Sequence, residues 1–395
     1  MVPPVGSGWA TTKTWPISSR DSRFYESSIS ASLEVWRKYL YTIFLATLSL
    51  LAHGLDKHRF GRIEIGTIVL IHSNAGKEIE LYLSRVPYHS ASHDDSGKQT
   101  YMSPLELVKL TALMERTSGN PEVKIGLVDG PVVVQHAELA GEHIREIPGK
   151  NGAMCAQANS TACIHGTFIA GILSGKRTSP APAICPNCTL LIRPIFAETT
   201  FGLEHMPSAT PLELAAAIIE CIDAGAQLIN LSLALAHPST KGEQALEESL
   251  NQAVRRGVII IAAAGNQSTV GGSAITRHPW VITVVSCDLS GRPMNESNLG
   301  SSIGRRGLSA PGNRITSLGS EGQSLTLGGT SVAVPFVTGA AALLWSEFPR
   351  ATAAQIKLAI TNTSSLQRVS VVPPLLDATA AYQILLTENA TRRTA

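Results

Sequence analysis

The 395-residue sequence predicts an α/β fold built on a mostly parallel central sheet. Three observations carry that expectation. From residue 119 onward, apolar runs of strand length alternate with helical patterns, an order that gives parallel pairing with right-handed crossovers. Glycine stands just past two helical segments, Gly225 after 212–224 and Gly257 after 243–256, where a helix is expected to stop. Hydrophobic residues make up 44% of the chain and charged residues only 16%, which suits a large buried core.

Residues 1–32 are rich in Ser, Thr and Pro, lack periodicity and read as disordered. An uncharged run follows at 39–52, behind Arg37-Lys38. It is shorter than the roughly 20 residues that span a bilayer. It also begins too deep for an export signal and has no Ala-x-Ala site. Membrane association through it stays open but is not favoured, and a cytoplasmic location is preferred. Two strands are expected at 62–71 and 78–86 around a Ser-Asn-Ala-Gly turn at 73–76. A helix is expected over 103–116, capped by Ser103, with Leu105, Leu107, Val108, Leu110, Leu113 and Met114 as its apolar stripe. Strands then fall at 227–233, 258–264 and 280–285, and closing surface helices at 353–361 and 376–386. The chain thus divides into an N-terminal extension, 1–118, dispensable for chemistry, and a catalytic domain, 119–390.

Net charge of +2 argues against a nucleic-acid partner. Four of the six cysteines cluster around His165: Cys155, Cys163, Cys185 and Cys188. Two disulfides, reduced thiols or a zinc site using Cys185-x-x-Cys188 all remain open. Cys221 and Cys287 read as plain core residues. No acidic calcium loop is legible, so no metal or cofactor is expected.

Ser331 lies in Gly-Gly-Thr-Ser-Val-Ala-Val-Pro, and small and apolar residues follow without a charge until Glu347. The pattern predicts a buried helix with the serine at its mouth and Pro335 in its first turn. Backbone N–H groups at such a helix start suit a developing oxyanion. His165 opens His-Gly-Thr-Phe-Ile-Ala-Gly, read as a second buried helix beginning at the histidine. Asp129 ends the apolar strand Val-Lys-Ile-Gly-Leu-Val-Asp, at the strand edge where open α/β sheets place their sites. Asn266 follows the buried run 258–264 and Gly265, and its amide can donate to an oxyanion.

With Gly-Thr-Ser-x-Ala-x-Pro at 329–335, His-Gly-Thr-x-x-Ala-Gly at 165–171 and Ala-Ala-Gly-Asn at 263–266, the chain resembles the subtilisin-like serine proteases over roughly 119–385. The resemblance implies a three-layer subtilisin-like fold and a serine endopeptidase. In it Ser331 is nucleophile, His165 base, Asp129 orienting carboxylate and Asn266 oxyanion donor. It also implies that Ser232, Leu233 and Ala234, with Ala264 and Gly265, wall the pocket for the substrate residue before the cleaved bond, with 271–276 as its floor. None of these is acidic, so that substrate residue is expected to be uncharged. Asp129-Gly130-Pro131, Ala234 and Phe336 depart from the usual family residues, but no catalytic group is lost. Asp-Gly-Pro and the segment 183–196 look like the cyanobactin-maturation branch, which processes ribosomally made precursor peptides. A macrocyclase or a catalytically inactive binding module are the alternatives. Macrocyclising relatives carry an extra helical element between the Asp and His motifs, and 141–164 shows no strong helical stripe, so hydrolysis is favoured.

Overall fold

A computed structural model describes residues 65–74, 78–87, 102–147, 155–198, 209–235, 243–362 and 370–394. The run 39–52 and the segment 1–32 lie outside these residues. Among the described residues no helix is long and apolar enough to cross a membrane.

Strands β1 (Ile65–Asn74) and β2 (Glu78–Pro87) pair antiparallel, with Ile65 opposite Pro87. β1 runs two residues into the expected turn. The main sheet contains β3 (Lys124–Asp129), β4 (Ile144–Glu146), β5 (Thr189–Pro194), β6 (Leu228–Leu231), β7 (Ile259–Ala263), β8 (Ile282–Cys287) and β9 (Leu308–Pro311). Its order is β4-β5-β3-β6-β7-β8-β9, and every pair is parallel. A small antiparallel pair, β10 (Ile315–Leu318) and β11 (Ser324–Leu327), precedes the serine helix.

Side-chain alternation divides the core between the two faces of the sheet. Ile125, Leu127, Ile259 and Ile261 face one cluster, shared with the histidine helix (Thr161–Ser174) and the serine helix (Thr330–Glu347). Val128, Ile229, Ile260 and Ala262 face the other, shared with helices Pro211–Asp223 and Glu243–Arg256. The result is the expected three-layer α/β arrangement. The serine helix is buried from Thr330 to Trp345, as an all-round apolar helix must be. From β3 the chain builds outward to β5 and β4, then returns to place β6 on the other side of β3. In such sheets the point of reversal, here beyond the C-terminal ends of β3 and β6, is the usual place for a site.

Several expectations need correction. The single helix over 103–116 is two, Pro104–Leu107 and Thr111–Arg116. Ser103 does cap the first, paired with Glu106 in a capping box. Lys109, at φ 54°, ends it, and Leu110 N–H closes back on Leu105 C=O at 2.9 Å. That break turns Val108, Leu110, Leu113 and Met114 into the larger core cluster. Residues 102–118, read as part of an extension dispensable for chemistry, therefore share the core of the main sheet's layers. Arg177 reinforces them by donating to the carbonyls of Met114 at 2.8 Å and Thr117 at 3.2 Å. The closing helix Ala378–Thr394 is longer than expected and buries Ala378, Ala381 and Leu385.

The cysteines follow none of the simple alternatives. Cys155 and Cys163 form a disulfide, whereas Cys185, Cys188, Cys221 and Cys287 are buried thiols. Burial pushes the Cys221 and Cys287 thiols up to about 12, leaving almost no thiolate at neutral pH. In the folded protein, iodoacetamide should leave both unmodified. A thiol titration in denaturant should find four reactive groups, rising to six after reduction. A count of six without reductant would contradict the disulfide.

Candidate active site

The site assembles at the C-terminal edge of the sheet. Asp129 is the last residue of β3 and is 1% exposed. Its neighbour Gly130 N–H donates to Asp129 Oδ1 at 2.7 Å, and Pro131 offers no N–H at all. Asp129 Oδ2 is left with no partner among the described residues.

The histidine helix begins at Thr161, four residues before the expected start, with Ser160 as its cap. His165 consequently sits in its second turn. A close backbone approach brings it to Asp129. A Cβ on Gly166 would lie 2.4 Å from Gly130 O and 2.5 Å from Pro131 O, so only glycine lets the two segments meet. Val133 N–H bonds to Thr167 Oγ1 at 3.0 Å and pins the same contact. Glu198 holds the approach to the helix, accepting from Ala156 N–H at 2.8 Å, Gln157 N–H at 2.9 Å and Ser160 Oγ at 3.1 Å. Cys155, Cys163 and Glu198 form a grouping of metal-ligand type, but the disulfide takes both sulfurs.

His165 Nδ1 lies 2.7 Å from Asp129 Oδ1, and both side chains are buried. A carboxylate can only accept, so Nδ1 donates to it, and in a neutral ring Nε2 is then the acceptor. Neither His165 Nε2 nor Ser331 Oγ is bonded to another group among the described residues. Such bonds commonly tighten only around substrate.

Ser331 is the second residue of its helix, behind Gly329 at φ 119°, a left-handed conformation that a side chain would strain. Pro335 falls in the second turn, not the first. It therefore lacks the N–H that would bond Ser331 C=O. Ser232 Oγ takes that carbonyl at 2.9 Å, Asn230 Nδ2 donates to Ser232 Oγ at 2.8 Å, and Thr338 Oγ1 donates to Asn230 Oδ1 at 2.9 Å. This buried chain ties the end of β6 to the serine helix, and it commits the Ser232 hydroxyl to the Ser331 backbone.

Asn266 lies just beyond β7 and is 9% exposed. Its Oδ1 accepts from Thr330 N–H at 2.9 Å, which fixes the amide and leaves Nδ2 available. Thr330 Oγ1 in turn accepts from Gly265 N–H at 3.2 Å. Leu233, Ala234 and Ala264 are buried, and a Cβ on Gly265 would stand 3.3 Å from Ala234 Cβ. The structure thus brings together Asp129 with His165, Asn266 with the start of the Ser331 helix, and Ala234 with Gly265. The supporting roles of Thr330, Asn230, Thr338 and Glu198 escaped the sequence reading. Each residue makes at least one bond to a residue far away in sequence, and no local spacing announces such bonds.

Comparison with known proteins identifies the family and agrees with the fold. The Subtilase family pattern matches residues 120–388. Subtilisin DY of Bacillus licheniformis is 25% identical over 272 residues, covering 68% of this chain and 92% of that protein. Thermitase of Thermoactinomyces vulgaris is 29% identical, covering 61% of this chain and 80% of that protein. Among solved structures, a mutant of the protease domain of PatA is 28% identical with a TM-score of 0.62, covering 68% of this chain and 97% of that one. The prenylagaramide maturation protease PagA is also 28% identical, with a TM-score of 0.60 and coverage of 70% and 98%.

Proposed function

The chain belongs to the subtilase family of serine peptidases, and we propose that Asp129, His165, Ser331 and Asn266 carry its chemistry. The observation that carries this reading is the buried 2.7 Å pair of His165 Nδ1 and Asp129, which leaves Nε2 as a free base. Ser331 Oγ attacks the scissile carbonyl while His165 Nε2 takes its proton. Asp129 holds the ring and stabilises the imidazolium. Asn266 Nδ2 and the Ser331 N–H, which has no acceptor within the first helical turn, hold the oxyanion. His165 returns the proton to the leaving amine, and water then releases the acyl group from Ser331.

The substrate we propose is a ribosomally made precursor peptide. The likeness to PagA, a maturation protease by name, supports it. Hydrolysis rather than macrocyclisation is supported by the interval before the histidine helix. Among its described residues it holds only a 3-10 turn, Gly141–His143, and the three residues of β4. A macrocyclase needs structure that shields the acyl-enzyme from water. Incubation with a leader-bearing peptide should therefore give linear products by mass spectrometry, and mainly cyclic product would overturn this part. Ser232, Leu233, Ala234, Ala264 and Gly265 are the proposed walls of the pocket that takes the residue before the cleaved bond. With no acidic group among them, a peptide library should show cleavage after uncharged residues, and dominance of Arg or Lys would contradict the assignment. The peptidase domain is best drawn from 102 to 390, because residues 102–118 share its core.

A further inference from the structure

We propose that Asn298 is a positioning residue for the oxyanion site: it fixes the loop 264–269 that presents Asn266, and so governs binding of the transition state rather than of the substrate. The proposal rests on Asn266 being the oxyanion donor. Asn266 stands at the apex of that loop, and its own side chain is held by one bond, from Thr330 N–H. The direction of its free Nδ2 therefore depends on the backbone on either side.

Asn298 holds both sides. Its backbone N–H donates to Gly265 O at 2.9 Å, and its Nδ2 donates to Ala264 O at 3.1 Å and to Gln267 Oε1. Its Oδ1 accepts from Gln267 N–H at 3.0 Å, Thr269 N–H at 3.1 Å and Thr269 Oγ1 at 2.9 Å. A single amide thus donates before Asn266 and accepts after it. Only a side chain with both a carbonyl oxygen and an NH₂ group at this length can do so. Alanine would release Gln267 N–H, Thr269 N–H and Ala264 C=O together. The loop could then shift by the fraction of an ångström that matters for a donor aimed at a developing charge.

The test is a double-mutant cycle in the full chain with an uncharged peptide p-nitroanilide, alongside the affinity of a peptide boronic acid, which mimics the tetrahedral intermediate. Asn298→Ala should lower kcat about tenfold or more, with KM within about twofold, and boronate affinity should fall with kcat. In an Asn266→Ala background the same change should cost less than about twofold, because the donor it positions is already gone. Equal losses in both backgrounds, or a raised KM with kcat kept, would overturn the proposal while leaving the oxyanion reading intact. If Asn266→Ala alone left kcat unchanged, the oxyanion reading itself would fail and take the proposal with it. Should Asn298→Ala not fold, Asn298→Asp keeps the acceptor contacts and loses the donor to Ala264. It should again lower kcat at unchanged KM only where Asn266 is present, and equal losses in both backgrounds would again overturn the proposal.

Discussion

Ser331→Ala should lower kcat by about a millionfold, the scale seen when the serine of a Ser-His-Asp triad is removed. It should do so without loss of stability. Ser331 Oγ is buried and makes no hydrogen bond, so truncation strands no partner. Deleting an unsatisfied buried hydroxyl is close to neutral or stabilising. His165→Ala should cost about as much activity but behave differently on melting. Its loss leaves Asp129 Oδ1 with only the Gly130 N–H, and an under-satisfied buried acceptor costs about 1–3 kcal/mol, more if charged. Kinetics and thermal denaturation of the two variants, measured side by side, test this split. A wild-type rate for Ser331→Ala would remove the nucleophile assignment. A large drop in its melting temperature would show a structural role that the geometry does not contain.

The second large effect is on folding. A chain starting at residue 119 should fail to fold, whereas one starting at 102 should melt cooperatively. Val108 and Leu110 are fully buried, and Leu113 and Met114 are 3% and 7% exposed. Burying a large apolar side chain contributes about 1.5–3 kcal/mol. Losing four of them approaches the roughly 5–15 kcal/mol that holds a domain together. The deletion would also uncover the C-terminal helix, where Ala378 N–H bonds Val108 O at 3.1 Å and the Arg116 guanidinium lies over the Tyr382 ring. Circular dichroism melting of both truncations decides it. A 119–395 chain with an unchanged midpoint would mean that these side chains fill space without supporting the core.

The layers of this fold were legible because their signal is local. Uninterrupted apolar strands, capped helices and the glycines at 225 and 257 each mark an element within a few residues, and β7 and helix Glu243–Arg256 fall where the pattern puts them. Boundaries were less legible where a side chain overrides periodicity. Nothing in the apolar stripe of 103–116 reveals the left-handed Lys109 that breaks it. The start of the histidine helix was missed because Ser160 caps it from within a polar, cysteine-bearing stretch. For the site, sequence motifs supplied Asp129, His165, Ser331 and Asn266, the residues proposed to carry the chemistry, and all four sit in patterned segments. The groups that hold them, such as Ser232 on Ser331 C=O and Thr330 on Asn266, do so across gaps of 99 and 64 residues. Spacing of that kind becomes meaningful only once the sheet order is known.

The central claim is that Ser331, activated by His165, is the nucleophile. Covalent labelling of the folded full-length protein with a fluorophosphonate, followed by peptide mapping, tests it most directly. The account predicts a single adduct on the peptide containing Ser331, absent from Ser331→Ala and strongly slowed in His165→Ala. No adduct on the folded protein, or an adduct on another residue that persists in Ser331→Ala, would contradict it.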